Sequence, residues 1–197
     1  KWVGPSGASV EAGKDYPLDL SIFPNQKKVL VTCGTQLAWA KENLIYQAKQ
    51  LAKAHPDCHF FVTRGVGGEV FQCENLMENL SVVSYLPYKE YIPQMAYVIH
   101  HGGAGIFYQC IIYGKPALIL PHDYDQFDYA VRGVEAGVAL SANKEDTRAI
   151  GQAFDNLLAK EDWSELETLR QAAQSYHPTE ILESEIHRLL AERENER

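Results

Sequence analysis

Apolar positions along this chain come in two alternating rhythms. Short runs rich in β-branched and aromatic residues, such as Val29-Leu30-Val31-Thr32-Cys33, have the period of strands. Between them, apolar residues recur at helical spacing: Leu44, Ile45, Ala48, Leu51 and Ala52 mark a helix over 42–55, which Pro56 and Asp57 close. The same reading predicts strands at 59–63, 81–85, 97–100, 117–120 and 138–140, and helices at 106–113, 126–136, 145–158, 164–173 and 179–194. The run 117–120 is wholly apolar and bounded by Pro116 and Pro121, as a strand covered on both faces should be. A glycine-rich loop at 64–69 and a less regular stretch through Asn79 receive no element. This alternation predicts an α/β fold, a doubly wound, mostly parallel sheet with helices on both faces, Rossmann-like in plan. The Gly, Pro and Ser-rich residues 1–26 read as a linker, 27–178 as the folded domain, and 179–197 as a solvated C-terminal helix.

Composition narrows what such a domain could bind. Among 197 residues, 18 Lys plus Arg stand against 26 Asp plus Glu, a formal charge of -8. A broad electrostatic grip on nucleic acid or anionic lipid is therefore not expected, and a small anion would need a local site. Cys33, Cys58, Cys73 and Cys110 follow no metal-ligand spacing, and three of them sit in or beside apolar runs, as reduced core thiols do. No apolar run approaches the roughly 18 residues of a membrane span, and no signal peptide is apparent, so the chain reads as cytoplasmic, with peripheral membrane association through a half outside this chain as the alternative. Its start at Lys1-Trp2-Val3-Gly4-Pro5, without Met, points to a piece of a longer protein.

Two loops carry candidate chemistry. His100-His101-Gly102-Gly103-Ala104-Gly105 joins a predicted strand to a predicted helix. Glycines let backbone N–H groups approach an anion, and a helix N-terminus adds about half a positive charge, so the loop reads as an anion pocket or, without a ligand, as a tight turn. Neither the dinucleotide glycine pattern nor the phosphate-binding Gly-Lys-Ser/Thr pattern fits, since Tyr108 stands where a small residue is needed and Gly114-Lys115 runs into Pro116. Arg64-Gly65-Val66-Gly67-Gly68, another strand-end loop, reads more simply as a mobile connection. The second informative loop is Pro121-His122-Asp123-Tyr124-Asp125-Gln126. Its carboxylates and amide suit the directed hydrogen bonds of sugar hydroxyls, although Asp125 could equally cap the helix and Asp123 with Asp125 could resemble half of a metal site.

In order along the chain, Tyr85-Leu86-Pro87, His100 to Gly105, Gly114-Lys115-Pro116, Pro121, Asp125-Gln126, Ala130 and Gly137 resemble the nucleotide-sugar-binding half of GT-B glycosyltransferases, especially the UDP-glycosyltransferases of family 1 and their family 28 relatives. The resemblance covers about 29–140, and Val3-Gly4-Pro5 looks like that family's interdomain linker. It implies that His101, as the catalytic residue, and the backbone of Gly103, Ala104 and Gly105 hold the donor pyrophosphate, with Gly34 and Thr35 as a second contact. Asp125 and Gln126 would hold the sugar, while Tyr85 and Leu86 would meet the base. Gln109 would meet the ribose where the family has an acidic residue, and Ile106 replaces the usual Ser or Thr. The implied activity is inverting transfer of a hexose from a nucleotide diphosphate sugar, UDP-sugar favoured, with neither metal nor cofactor. The acceptor and the general base would come from an N-terminal domain or subunit, leaving the isolated chain nearly inactive. A donor-binding subunit of a two-component enzyme, a GT-B epimerase and a non-catalytic sugar-nucleotide module share the same pattern.

Overall fold

The computed structural model describes residues 18–35, 37–65 and 71–195. The opening segment through residue 17 and most of the Arg64 to Gly68 loop lie outside the described residues. Among the described residues seven strands form one sheet: β1 (Lys27–Thr32), β2 (Cys58–Thr63), β3 (Cys73–Met77), β4 (Leu80–Val83), β5 (Tyr97–His100), β6 (Ala117–Ile119) and β7 (Ala139–Ser141), in the order β3-β4-β2-β1-β5-β6-β7. The helices among the described residues are α1 (Lys41–Ala54), α2 (Tyr88–Tyr91), α3 (Ala104–Ile112), α4 (Gln126–Glu135), α5 (Thr147–Ala159), α6 (Ser164–Gln174) and α7 (Pro178–Asn195), the last of them largely exposed. The fold is the doubly wound α/β sheet that the hydrophobic rhythm predicts.

Period-2 alternation within each strand divides the interior in two. Val29 and Val31 of β1, Phe60 and Val62 of β2 and Ile99 of β5 face one side, where Leu44, Ile45, Ala48 and Leu51 of α1 and Ile150, Phe154 and Leu157 of α5 cover them. Leu30, Phe61, Val98 and Ile119 face the other side and pack on Ile106, Phe107, Cys110 and Ile111 of α3, Ala130 of α4 and Leu166 of α6. Strands covered on both faces have no polar side, which is why these runs are almost continuously apolar. Cys33, Cys58 and Cys110 are buried, Cys73 is exposed, and all four are free thiols.

The irregular stretch before Asn79 contains a strand. β3 runs antiparallel to β4 at the sheet edge, returning through Glu78 and Asn79, with a register shift between Asn75 and Met77. Its first three residues are exposed, so an apolar periodicity never develops. Asn79 fixes the return, donating from Nδ2 to the carbonyls of Ala52 at 2.9 Å and Cys58 at 3.1 Å. Among the described residues, no helix is long and apolar enough to cross a membrane.

Candidate functional site

Three parallel strands end in register, Thr32 of β1 opposite Thr63 of β2 on one side and His100 of β5 on the other. The chain winds outward in opposite directions from β1, and such a switch point leaves a crevice beyond the carboxyl ends of the strands. Thr32 and Thr63 shape its floor in the same manner. Thr32 Oγ1 accepts from the Gly34 N–H at 3.0 Å, and Thr63 Oγ1 accepts from the Gly65 N–H at 3.1 Å. Both glycines take left-handed φ values, +70° and +64°. A Cβ on Gly65 would lie 2.2 Å from the Gly34 carbonyl oxygen, so the two turns touch in a way only glycine permits.

Across the cleft, α3 starts at Gly103, whose N-cap position supplies no side-chain bond to the first-turn N–H groups. Gly105 and Ile106 of that first turn line the cleft, which brings the positive end of the helix to it. A Cβ added at Gly105 would meet nothing within 4 Å. Gly105→Ala should therefore leave stability unchanged or raise it by up to about 1 kcal/mol, Ala being the better helix former. Urea unfolding tests this, and a loss of more than about 1 kcal/mol would show that the position is not open.

The His101 ring stands between the two walls. A Cβ on Gly103 would be 2.4 Å from its Nε2, and one on Gly34 would be 3.0 Å from its Cε1. Burial pushes the imidazole pKa down to about 4, and nearby His122 adds to the depression, so His101 is neutral at pH 7. The preceding His100 has a different task. Its Nδ1 accepts from the Gly102 N–H at 3.0 Å, which puts the ring proton on Nε2, and complete burial drives its pKa down to about 3. His100 shapes the loop from the core.

The second loop approaches from β6. Gln126 is buried, and its Oε1 accepts from the backbone N–H groups of His122 at 2.9 Å and Asp123 at 3.1 Å. The residue thus clamps its own loop and leaves its amide donors for the cleft. Asp125 occupies the N-cap position of α4 yet makes no capping bond, with φ at -65° and ψ at -11°. The capping alternative for this carboxylate is therefore set aside. The Asp123 Oδ1 accepts from the Tyr124 N–H at 2.9 Å. Tyr124 has φ +49° and is the one non-glycine residue of positive φ among the described residues. No cluster of three residues suited to a metal ion occurs among the described residues.

The cleft has a volume of about 370 Å³. Of the residues singled out in the sequence, Gly34, Thr35, Tyr85, Leu86, His101, Gly105, Asp125 and Gln126 line it. Gly103, which backs the His101 ring, and Ala104, the first residue of α3, are not among the lining residues. The structure does not bring Gln109 to the cleft: it is buried in α3, with Oε1 lacking a partner among the described residues. Ile106 does line it. Cys33, Leu37, Thr63, Gly65, Tyr88 and Tyr124 also line the cleft and were not predicted as site residues. The signal that could have found Cys33, Thr63 and Gly65 is their place just at or past the carboxyl end of an inner parallel strand.

Fold and cleft together define the class, a Rossmann-like domain with a cleft at its switch point and a glycine-lined helix N-terminus. The family model described as "Erythromycin biosynthesis protein CIII-like, C-terminal domain" matches residues 67–187, and the chain belongs to that family. It is 24% identical over 167 residues to an uncharacterized UDP-glucosyltransferase of Bacillus subtilis, YdhE, covering 83% of this chain and 41% of that protein. Its fold is similar to that of the glycotransferase of kitacinnamycin, with a TM-score of 0.78 and 20% identity over 95% of this chain and 48% of the other. The spinosyn rhamnosyltransferase SpnG complexed with thymidine diphosphate is also similar, with a TM-score of 0.69 and 20% identity over 81% of this chain and 45% of the other. The architecture is thus that of the C-terminal half of GT-B glycosyltransferases, and the chain spans less than half the length of each of these relatives.

Proposed function

We propose that this chain is the donor half of an inverting glycosyltransferase. It would bind a nucleotide diphosphate sugar, a UDP-hexose on the sequence reading, through the domain at 27–178. An N-terminal domain or subunit would supply the acceptor site. The observation that carries the reading is the position of His101, wedged between Gly34 and Gly103 at the mouth of the helix α3 donors, in one cleft with Asp125 and the Gln126 amide. A neutral imidazole N–H and uncapped backbone N–H groups suit a diphosphate, while a carboxylate and an amide suit hydroxyls.

Departure of the nucleotide from the anomeric carbon builds negative charge on the diphosphate. Donors already aimed at that charge stabilise the transition state more than the ground state. His101 and the first turn of α3 would act in this way, with Asp125 and Gln126 fixing the sugar ring. The acceptor hydroxyl must also lose a proton, and that base would belong to the acceptor half, so the chain alone would turn over little.

The UDP name of one relative and the thymidine diphosphate of another support the nucleotide class from two sides. Paired titrations of Asp125→Asn test the sugar assignment. The variant should bind UDP-glucose or dTDP-glucose about ten-fold more weakly while binding UDP and dTDP unchanged, as loss of a charged hydrogen bond to a hydroxyl would produce. Equal losses for nucleotide and nucleotide sugar would remove Asp125 from the sugar site.

A further inference from the structure

Thr32 is fully buried at the end of β1, and its hydroxyl has two hydrogen-bond neighbours among the described residues: the Gly34 N–H at 3.0 Å and the Tyr88 hydroxyl at 2.9 Å. The Gly34 N–H can only donate, so Thr32 Oγ1 accepts there. The threonine hydroxyl also carries one hydrogen of its own, and leaving it buried without an acceptor would cost about 1–3 kcal/mol. Among these neighbours the acceptor is the Tyr88 oxygen. Thr32 therefore donates to Tyr88, and the hydrogen on Tyr88 is left over.

That hydrogen has a place to go. Tyr88 lines the cleft together with Gly34, Tyr85 and Ile106. Its oxygen is one threonine hydroxyl away from the Gly34 N–H, beside the turn that faces the His101 ring. Ile106, reaching the same space from the first turn of α3, carries no hydroxyl. Burial raises the Tyr88 phenol to about 12, the Thr32 hydrogen bond acting the other way, so the group keeps its proton at neutral pH. The cleft that Tyr88 lines is also lined by Gly105 and Ile106 of the first turn of α3, whose positive end favours an anion over a neutral ribose.

We propose that Tyr88 is a ligand-binding residue whose hydroxyl donates a hydrogen bond to the diphosphate of the bound nucleotide. This rests on the donor-site reading and names one more of its contacts. A phenol donating to a phosphate oxygen forms a charge-assisted bond, stronger than a neutral pair.

The test is calorimetric titration of inorganic pyrophosphate and of dTDP into the unaltered chain and into Tyr88→Phe, with thermal unfolding of both as a check on the fold. Tyr88→Phe should weaken both ligands by about ten-fold or more. In the unaltered chain labelled with carbon-13 at tyrosine Cζ, the Tyr88 resonance should also shift when pyrophosphate is added, a readout independent of any variant. Unchanged affinity for pyrophosphate, or an unmoved resonance, overturns the proposal, and so does a loss confined to dTDP, which would place the contact on ribose or base. If the unaltered chain binds neither ligand, the donor-site reading falls and this inference falls with it. If it binds both and Tyr88→Phe binds equally, this inference falls alone.

Discussion

Replacing His101 with Ala should weaken binding of UDP or dTDP by ten-fold or more. The ring fills the gap between Gly34 and Gly103, so its removal takes away the imidazole nitrogens and opens the wall that places the two loops. A hydrogen bond to a charged phosphate contributes about 1.5–3 kcal/mol, and ten-fold corresponds to about 1.4 kcal/mol, so even the lower end is measurable. The variant should still fold, since His101 is only partly buried and belongs to neither core cluster.

The ionisation of His101 adds a second signature. Burial holds its pKa at about 4 in the protein alone, whereas a diphosphate beside the ring favours the imidazolium. The complex then has the higher pKa, and binding is accompanied by proton uptake. Affinity for UDP-glucose, whose phosphates do not titrate in this range, should rise as pH falls from 7 toward 5.5. In His101→Ala it should stay flat. A pH-independent affinity in both chains would show that no anion sits against the ring.

The second large effect is on stability in acid. His59 is buried between Phe23 and Phe61, with ring centroids at 4.0 and 4.5 Å, and its Nε2 meets Ser81 Oγ at 2.9 Å. Burial pushes its pKa down to about 4, and that of His100 down to about 3. Both groups titrate near 6.5 in the unfolded chain. The unfolded state therefore binds more protons below pH 6.5, and stability falls with pH from there toward the folded values. At pH 5 each histidine accounts for about 2 kcal/mol, together about 4 kcal/mol of a native stability that is typically about 5–15 kcal/mol. Urea midpoints at pH 7 and pH 5 measure this directly. His59→Phe, which keeps the stacked ring but removes the titrating group, should shrink the difference, whereas a pH-independent midpoint would contradict the burial of both rings.

Much of the fold was legible because inner strands covered on both faces must be apolar and helices covering them must repeat every three to four residues. β5 coincides with its predicted span, and α1 and α4 lie within one residue of theirs at each end. β3 escaped because an exposed edge strand such as Cys73-Glu74-Asn75 needs no apolar face. Of the residues that line the cleft, His101, Gly105, Asp125 and Gln126 were legible from the residue types clustered in their two loops. Gly65 was not, because its role depends on contact with Gly34, which the parallel pairing of β1 and β2 creates across thirty residues of chain. Tyr88 likewise acquires meaning only through a hydrogen bond to Thr32, 56 residues away. Gln126 also accepts two backbone N–H groups of its own loop, a contact that spacing does not encode.

A donor half must hold a nucleotide diphosphate at the ends of β1 and β5 by itself, without the acceptor half. Calorimetric titration of dTDP and then UDP into the unaltered chain at pH 7 tests it most directly. Saturable binding at one site is expected for at least one of the two, weakened by His101→Ala. A folded chain that binds neither at millimolar concentration would contradict it.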